Sequence, residues 1–240
     1  MSEPVKLNEQ KSEFKKKVQE ILPQGNLDLC FTCGTCASGC PATGLENMDP
    51  RKFLRMVLLG MDDEVIGHPW AWMCTMCQRC IKACPMSVDI PQLIFNARAS
   101  VPREERPVGI LKSCDVALST PTTSAMGASV EDWQFVVEDV AEEVRETQPG
   151  FEDLQVPMDK KGAKYFLNQN SREPVTEPDE MIPLWKILHI AGADWTYGSK
   201  GWAAENYCMF LADDEAWKSI VSQKAEAVDE LGCEYWLNTE

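Results

Sequence analysis

The sequence lacks a long apolar run, a secretory leader and an excess of positive charge. No stretch of its 240 residues approaches 18 consecutive apolar residues, so we expect no membrane-spanning helix. The opening MSEPVKLNEQKSEFKKK has no apolar core and does not resemble a signal peptide. With 23 basic and 38 acidic residues, the net charge of −15 argues against nucleic acid or anionic lipid as the main partner. We therefore expect a cytoplasmic protein.

What the sequence does contain is cysteine, 11 in all. Because structural disulfides are improbable in the cytoplasm, this number needs another explanation. Eight of the cysteines lie between Cys30 and Cys84, and only Cys114, Cys208 and Cys233 follow. We expect Cys114 and Cys233 to be structural thiols in a core, since free cysteine is among the most buried residue types.

Charge is distributed in the opposite way to cysteine. Residues 30–102 carry six acidic and six basic groups, whereas residues 103–240 carry 27 acidic and 12 basic groups. Two domains of different character are the simplest interpretation. We place the boundary near residues 102–107, where two prolines and alternating charges are typical of a linker.

The eight clustered cysteines form an internal repeat, the pattern C-x2-C-x2-C-x3-C-P written twice. This pattern is typical of [4Fe–4S] clusters, because three thiolates on a tight loop can reach three corners of a cubane. The fourth ligand comes from elsewhere, and in two-cluster proteins it is the last cysteine of the other run. We therefore predict one cluster held by Cys30, Cys33, Cys36 and Cys84, and another held by Cys74, Cys77, Cys80 and Cys40.

Zinc and disulfides are the alternatives for these cysteines. Zinc is commonly held by two separated C-x2-C pairs and has no use for a third cysteine at the same spacing followed by Cys-Pro. A disulfide framework needs an oxidising compartment, which nothing in the sequence indicates. Two [4Fe–4S] clusters are favoured over both.

The segments around the cysteine runs have helical patterns. Asp49 is a candidate N-cap with Pro50 in the first helical position, followed by apolar residues at helical spacing from Phe53 to Met61. A second helix is predicted after Asp89 as N-cap, running towards Pro102. Trp70 and Trp72 precede Cys74 and are either core aromatics or a cover for a cluster.

The rest of the chain alternates between helix and strand patterns, which favours a small parallel sheet. A capping box at Ser129–Asp132 opens one helix, and Asp213 to Leu231 forms another with Gly232 as its C-cap. The other predicted elements are a helix at Met181–Ile190 and strands at Ala163–Leu167, Asp194–Tyr197 and Glu234–Leu237. The predicted fold class is therefore α+β, with an N-terminal helix or arm at residues 1–25.

Residues from about 26 to 100 resemble the C subunit of heterodisulfide reductase and its fused relatives. The resemblance is carried in order by CFTCGTCASGCP, MDPRKFLRMVLLG, WMCTMCQRCIKACP and VDIPQLI. It implies an α-helical ferredoxin domain at residues 26–102 that passes electrons between a donor subunit and a disulfide-reducing site.

Residues 103–240 resemble the cysteine-rich CCG module of the reductase B and D subunits and the K-type subunit of sulfite-reduction membrane complexes. PLWKILHIAGADWTYG, GWAAENYCMFLADDEAW and AVDELGCEYWLNTE carry the resemblance. The module is degenerate, since Asn168 and Asn170 stand where the family has a cysteine, and Cys208 alone represents Cys-Cys-Gly. The chain also stops at Glu240, just before the family's C-x-x-C. Two explanations stay open, the front half of a longer protein or a naturally short chain. A stop where a cysteine is expected also allows a selenocysteine codon read as a stop.

The resemblance implies an electron-transfer subunit of a heterodisulfide-reductase-like complex as the first hypothesis. Its expected partners are other redox subunits, either a disulfide-reductase B-type subunit or a flavin- or haem-containing donor subunit. One candidate is a membrane cytochrome b, which would place the chain at the inner face of the membrane. A second hypothesis makes the chain itself a disulfide reductase through an additional cluster involving Cys208. A noncubane cluster is expected only where a further C-terminal module is present.

Overall fold

The fold consists of helices around the cysteine runs and a mixed helix–strand region after them. A computed structural model describes residues 12–22 and 27–239. The chain splits into two units, residues 1–107 and 108–240. The described strands all lie in the second unit and pair in parallel, so the predicted α+β class is confirmed. Residues 1–11 and 23–25 of the predicted N-terminal arm lie outside the described residues.

The described part of the first unit contains short helices joined by loops. Its α-helices are α1 Glu13–Ile21, α2 Thr35–Ser38, α3 Pro50–Leu58, α4 Asp62–Val65, α5 Trp70–Met73, α6 Arg79–Ala83 and α7 Ile90–Ala99. Single 3-10 turns occupy Leu27–Leu29, Leu45–Asn47 and Arg103–Glu105.

The two helices predicted around the cysteine runs begin as the sequence indicates. The Asp49 carboxylate accepts a hydrogen bond from the Lys52 N–H at 2.8 Å, which caps α3. The Asp89 carboxylate accepts one from the Gln92 N–H at 3.0 Å and caps α7. Because each helix has a proline in its first turn, where the missing N–H needs no partner, both starts are fixed locally.

The core of the first unit lies between α1, α3, α5 and α7. Phe53 and Trp70 are buried with their ring centroids 5.6 Å apart, and Val18 and Leu93 are fully buried in the same core. The Trp70 indole N–H donates to the Ala42 carbonyl at 2.7 Å, so a buried polar group is paired. Since Ala42 lies two residues after Cys40, this bond fixes the end of the first cysteine run to the core.

The second unit surrounds a small parallel sheet with helices. Its helices are α8 Val108–Ser119, α9 Val130–Thr147, α10 Glu173–Thr176, α11 Ile182–Ile190, α12 Tyr207–Phe210 and α13 Asp214–Leu231, with a 3-10 turn at Pro178–Met181. The strands are β1 Tyr165–Leu167, β2 Gln169–Asn170, β3 Trp195–Thr196, β4 Ala203–Ala204 and β5 Tyr235–Leu237. One sheet has the order β3-β1-β5, with Tyr165 opposite both Trp195 and Tyr235, and β2 pairs with β4.

The predicted helix boundaries of this unit are confirmed by their caps. Ser129 and Asp132 form the reciprocal capping box at the start of α9. Asp213 caps α13 through the Ala216 N–H, and Gly232 ends it with a φ of 66°, a left-handed conformation that favours glycine.

Three helices of this unit were not predicted, α8, α10 and α12. α8 begins at Val108, directly after the prolines that indicated a linker, and its apolar residues include Cys114. α12 is a single turn that contains Cys208. Pro107 precedes α8 and has no capping side chain, whereas α12 has Asn206 at its N-cap position without a side-chain capping hydrogen bond.

Tryptophans build the core beside the sheet. Trp133 stacks on Trp202 at 4.0 Å with an interplanar angle of 16°, and its indole N–H donates to the Gly198 carbonyl at 3.0 Å. Trp185 donates to the hydroxyl of Tyr197 at 2.9 Å. Complete burial raises the pKa of Tyr197 far above its usual range, because the phenolate would lose its hydration.

Candidate metal centre

Each cysteine run bends at the same two positions. Thr32 and Met76, the residues before the second cysteine of each run, both have a φ of 57°. Gly34 and Gln78, the residues after it, have φ values of 83° and 62°. A positive φ is rare for a β-branched residue such as Thr32 and persists only where the surroundings impose it. The two loops therefore follow the same path, and each leads into a short helix that carries the third cysteine.

The loops bring the eight cysteines together as two sets of four. The first set lines a cavity of about 350 Å³, counting its open mouth, and consists of Cys30, Cys33, Cys36 and Cys84. The second set lines a cavity of about 390 Å³ on the same basis and consists of Cys40, Cys74, Cys77 and Cys80. Each cavity thus takes three thiols from one run and the last thiol from the other.

The walls of both cavities fit an iron–sulfur cluster. Leu54 and Ile90 line the first cavity, and Trp70 and Ile94 line the second. Thiolates are the ligands of [4Fe–4S] clusters, and an apolar surround limits the access of water. Trp70 is therefore both a core aromatic and a wall of a cavity. Within the described ranges, no three His, Cys, Asp or Glu side chains form a group that could hold a single metal ion.

Burial and mutual repulsion oppose ionisation of the inner thiols. Burial, followed by the charges of Cys30, Cys84 and Cys33, raises the pKa of Cys36 to about 11. Burial, followed by Cys74 and by Cys40 on the other run, raises the pKa of Cys80 to about 12. Since metal binding requires thiolates, iron bound there would supply the positive charge that these thiols need to ionise.

The second cysteine of each run, Cys33 or Cys77, is exposed, in contrast to the partly buried Cys36 and Cys80. The Thr35 hydroxyl lies 3.2 Å from the Cys33 sulfur, and this hydrogen bond lowers the pKa of Cys33. The backbone N–H of Arg79 lowers the pKa of Cys77 in the corresponding place. Both cavities therefore have one thiol at the surface that ionises readily.

Sequence reasoning missed Arg98, which lies on α7 and contacts the start of the second run. Its side chain is only 2% exposed, and its guanidinium donates to the carbonyls of Ala71 and Cys74. An arginine near the end of an amphipathic helix ordinarily faces solvent, so the sequence contains no signal for this burial.

The three remaining cysteines differ from expectation. Cys114 on α8 and Cys208 on α12 are buried and joined in a disulfide with a Cα–Cα distance of 4.9 Å. The expectations that disulfides are improbable and that Cys114 is a free structural thiol are wrong for this pair. A sulfur in a disulfide is not a thiolate ligand, so the structure gives no support to a further cluster on Cys208. Cys233 is free but only partly buried, so its predicted core position is wrong as well.

The helices in residues 12–22 and 27–239 include none with the length and hydropathy of a membrane span.

The fold and cavities of the first unit define a helical dicluster iron–sulfur domain. Residues 26–88 match the family of 4Fe-4S dicluster domains, and two [4Fe–4S] clusters are the cofactors of this class. The predicted cofactors are thereby confirmed.

Three named proteins are similar to the cysteine-rich region of the chain. The chain is 36% identical over 86 residues to the C subunit of the H(2):CoB-CoM heterodisulfide,ferredoxin reductase of Methanothermobacter marburgensis, an alignment that covers 36% of the chain and 46% of that protein. It is 36% identical over 104 residues to the second iron-sulfur C subunit of the CoB–CoM heterodisulfide reductase of Methanocaldococcus jannaschii, covering 39% of the chain and 54% of the relative. A protein of Archaeoglobus profundus named as similar to the heterodisulfide reductase C subunit is 34% identical over 107 residues, 42% of the chain and 56% of that protein.

The similarity is confined to part of each protein. The chain spans about half the length of the curated relatives it matches. The iron–sulfur region is related to heterodisulfide reductase C subunits, as its motifs indicated.

Proposed function

We propose that the chain is an electron-transfer subunit of a heterodisulfide-reductase-like complex. Electrons would pass through two [4Fe–4S] clusters to a disulfide- or sulfur-reducing site on a partner or on a further C-terminal module. The proposed ligands of one cluster are Cys30, Cys33, Cys36 and Cys84, and those of the other are Cys74, Cys77, Cys80 and Cys40. The observation that carries the proposal is that these same sets line the two cavities.

The apolar walls of the cavities suit electron transfer better than hydrolysis or acid–base chemistry. Each cluster, when bound, supplies a one-electron couple whose potential depends on charge, hydrogen bonds to sulfur and exposure to solvent. The protein contributes these terms through fixed groups. The Thr32 N–H donates to the Cys30 sulfur at 3.4 Å, and the Val88 N–H donates to the Cys84 sulfur at 3.5 Å.

The exposed cysteines support entry and exit of electrons at the protein surface. Cys33 and Cys77 are the exposed members of their sets, so each cavity has one corner that a partner can approach. Phe31 lines the first cavity and is 72% exposed, so an apolar side chain lies at the surface beside this corner. We propose that a redox partner docks over this corner.

The names of the relatives indicate which partners to test. They are C subunits of heterodisulfide reductases, and the name of the Methanothermobacter marburgensis protein includes ferredoxin reductase. For this chain we propose a B-type disulfide-reducing subunit as acceptor and a flavin- or haem-containing subunit, including a membrane cytochrome b, as donor. Binding to such a cytochrome would hold the chain at the membrane surface.

Paired cysteine substitutions test the proposed ligand sets. The anaerobically reconstituted wild-type chain should hold about eight irons, since each of two cubanes contains about four. Cys36→Ser with Cys84→Ser should remove one cluster only, because both residues belong to one set. Cys36→Ser with Cys40→Ser, two substitutions within one run, should remove both clusters.

The measurements are iron and sulfide content and the EPR spectrum of the reduced protein. Cys233→Ser is the matched control and should keep the wild-type iron content. If the Cys36 and Cys84 pair removed both clusters while the Cys36 and Cys40 pair removed one, each run would hold its own cluster and the crossed assignment would be wrong. A colourless protein containing zinc and no iron would reject the function altogether.

A further inference from the structure

Arg98 is a buried positive charge that contacts the second cysteine set. Its Nε and Nη2 atoms donate to the Ala71 carbonyl at 2.9 and 2.7 Å, and Nη2 also donates to the Cys74 carbonyl at 2.6 Å. The guanidinium carbon lies 5.4 Å from the centre of the Trp72 ring. Carbonyl groups and the face of an indole both accept a cation, so the environment is built for the charge.

Arg98 contacts the second cysteine set through the Cys74 carbonyl, to which its guanidinium donates a hydrogen bond. Burial lowers the pKa of Arg98 itself, but a guanidinium stays charged at neutral pH. The charged side chain that lines the first cavity is Arg51, which is only half-buried and so more open to screening by solvent.

We propose that Arg98 is a positioning residue that raises the reduction potential of the cluster held by Cys74, Cys77, Cys80 and Cys40 relative to the other cluster. This inference rests on the proposed function. Reduction adds one electron, and therefore one negative charge, to a cluster. A buried positive charge stabilises that added charge more than an exposed one does, because the surrounding effective dielectric is lower. An electron shared between the two clusters would therefore reside mainly on the second cluster.

The Arg98 guanidinium also positions the backbone at the start of the second cysteine run. By holding the carbonyls of Ala71 and Cys74 together, Arg98 joins α5 to the first ligand of the second run. A lysine would keep the charge but lacks the Nε–H that gives the Ala71 carbonyl its second hydrogen bond, since its ammonium has no planar fork. Charge and geometry can therefore be separated by substitution.

The test is an EPR-monitored redox titration of reconstituted proteins carrying Arg98→Gln or Arg98→Lys. Arg98→Gln retains a hydrogen-bond donor and loses the charge. It should favour the oxidised form of one cluster by about tenfold, a fall of about 59 mV for a one-electron couple, and leave the other cluster unmoved. Arg98→Lys should stay within about threefold of wild type. Arg79→Gln is the matched control, because Arg79 lies beside the same cysteine set but is exposed, and it should move the potential by less than about threefold.

Equal shifts in Arg98→Gln and Arg79→Gln, or equal shifts of both clusters in Arg98→Gln, would overturn the proposal. If Arg98→Gln lost half of its iron, retention by Arg98→Lys would assign the role to the charge, whereas loss in both variants would assign it to structure alone. Failure of the proposed function is a different result, since the wild-type chain would then lack the two titrating clusters.

Discussion

The Cys114–Cys208 disulfide predicts a large and measurable share of the stability of the second unit. The two cysteines are 94 residues apart in sequence. Closing a loop of that length lowers the entropy of the unfolded chain by an amount worth about 4.7 kcal/mol at room temperature, and native disulfides typically deliver about 2–4 kcal/mol. We expect Cys208→Ser to lower the free energy of unfolding of this unit by about 3 kcal/mol.

Urea denaturation followed by tryptophan fluorescence suits this measurement, because six of the eight tryptophans lie after residue 107. Cys114→Ser and the double variant should be destabilised about as much as Cys208→Ser, since any of them removes the same bond. Cys233→Ser is the matched control, because it removes a free and partly exposed thiol, and it should change stability by less than about 0.5 kcal/mol.

Reductant provides an independent arm of the same experiment. Wild-type protein unfolded and refolded with a dithiol should match the stability of Cys208→Ser, whereas the variant should not respond to reductant. The reasoning would be refuted if the double variant lost as much unfolding free energy as the two single variants lose together. Rapid alkylation of both thiols in the folded, unreduced wild-type protein would also refute it.

Three further predictions concern packing, capping and pH. Trp133→Ala should destabilise the second unit by about 3–5 kcal/mol in urea, because it opens a cavity beside Trp202, and a loss below about 1 kcal/mol would contradict the packing described. Asp49→Ala should cost the first unit about 1 kcal/mol through loss of the α3 cap, and Asp49→Asn, which can still cap, should cost clearly less in the same assay. Burial raises the pKa of Glu205, so its contribution is favourable at low pH and is lost as pH rises through the folded pKa. Glu205→Gln should therefore gain stability relative to wild type between about pH 4 and pH 8, and a constant difference across that range would show that the carboxyl is not desolvated.

Features with a local physical cause were predictable from the sequence. The Asp49 and Asp89 caps, the Ser129 capping box and the Gly232 terminus each depend on contacts within a few residues, and the structure has all four. The parallel sheet was predictable because apolar runs alternate with helical patterns along the second half of the chain.

Features that depend on distant contacts were not predictable. The burial of Arg98 depends on carbonyls 24 and 27 residues away, and the Cys114–Cys208 pair joins residues that are 94 positions apart. The positive φ of Thr32 also has no sequence signature, because a β-branched residue ordinarily avoids it. For Arg98 and for the disulfide pair, a long-range contact overrides the local preference.

The exchange of the last thiol between the runs has a consequence for how such a domain can evolve. Each cavity takes three thiols from one run and one from the other, so neither run alone encloses a complete set of four. The matching bends at Thr32 and Met76 give the two runs the same backbone path, as expected of a duplicated segment. With the proposed ligand sets, loss of Cys40 would remove a ligand from the cluster of the second run, and loss of Cys84 would remove one from the cluster of the first. Deletion of either run would then leave the other run one ligand short.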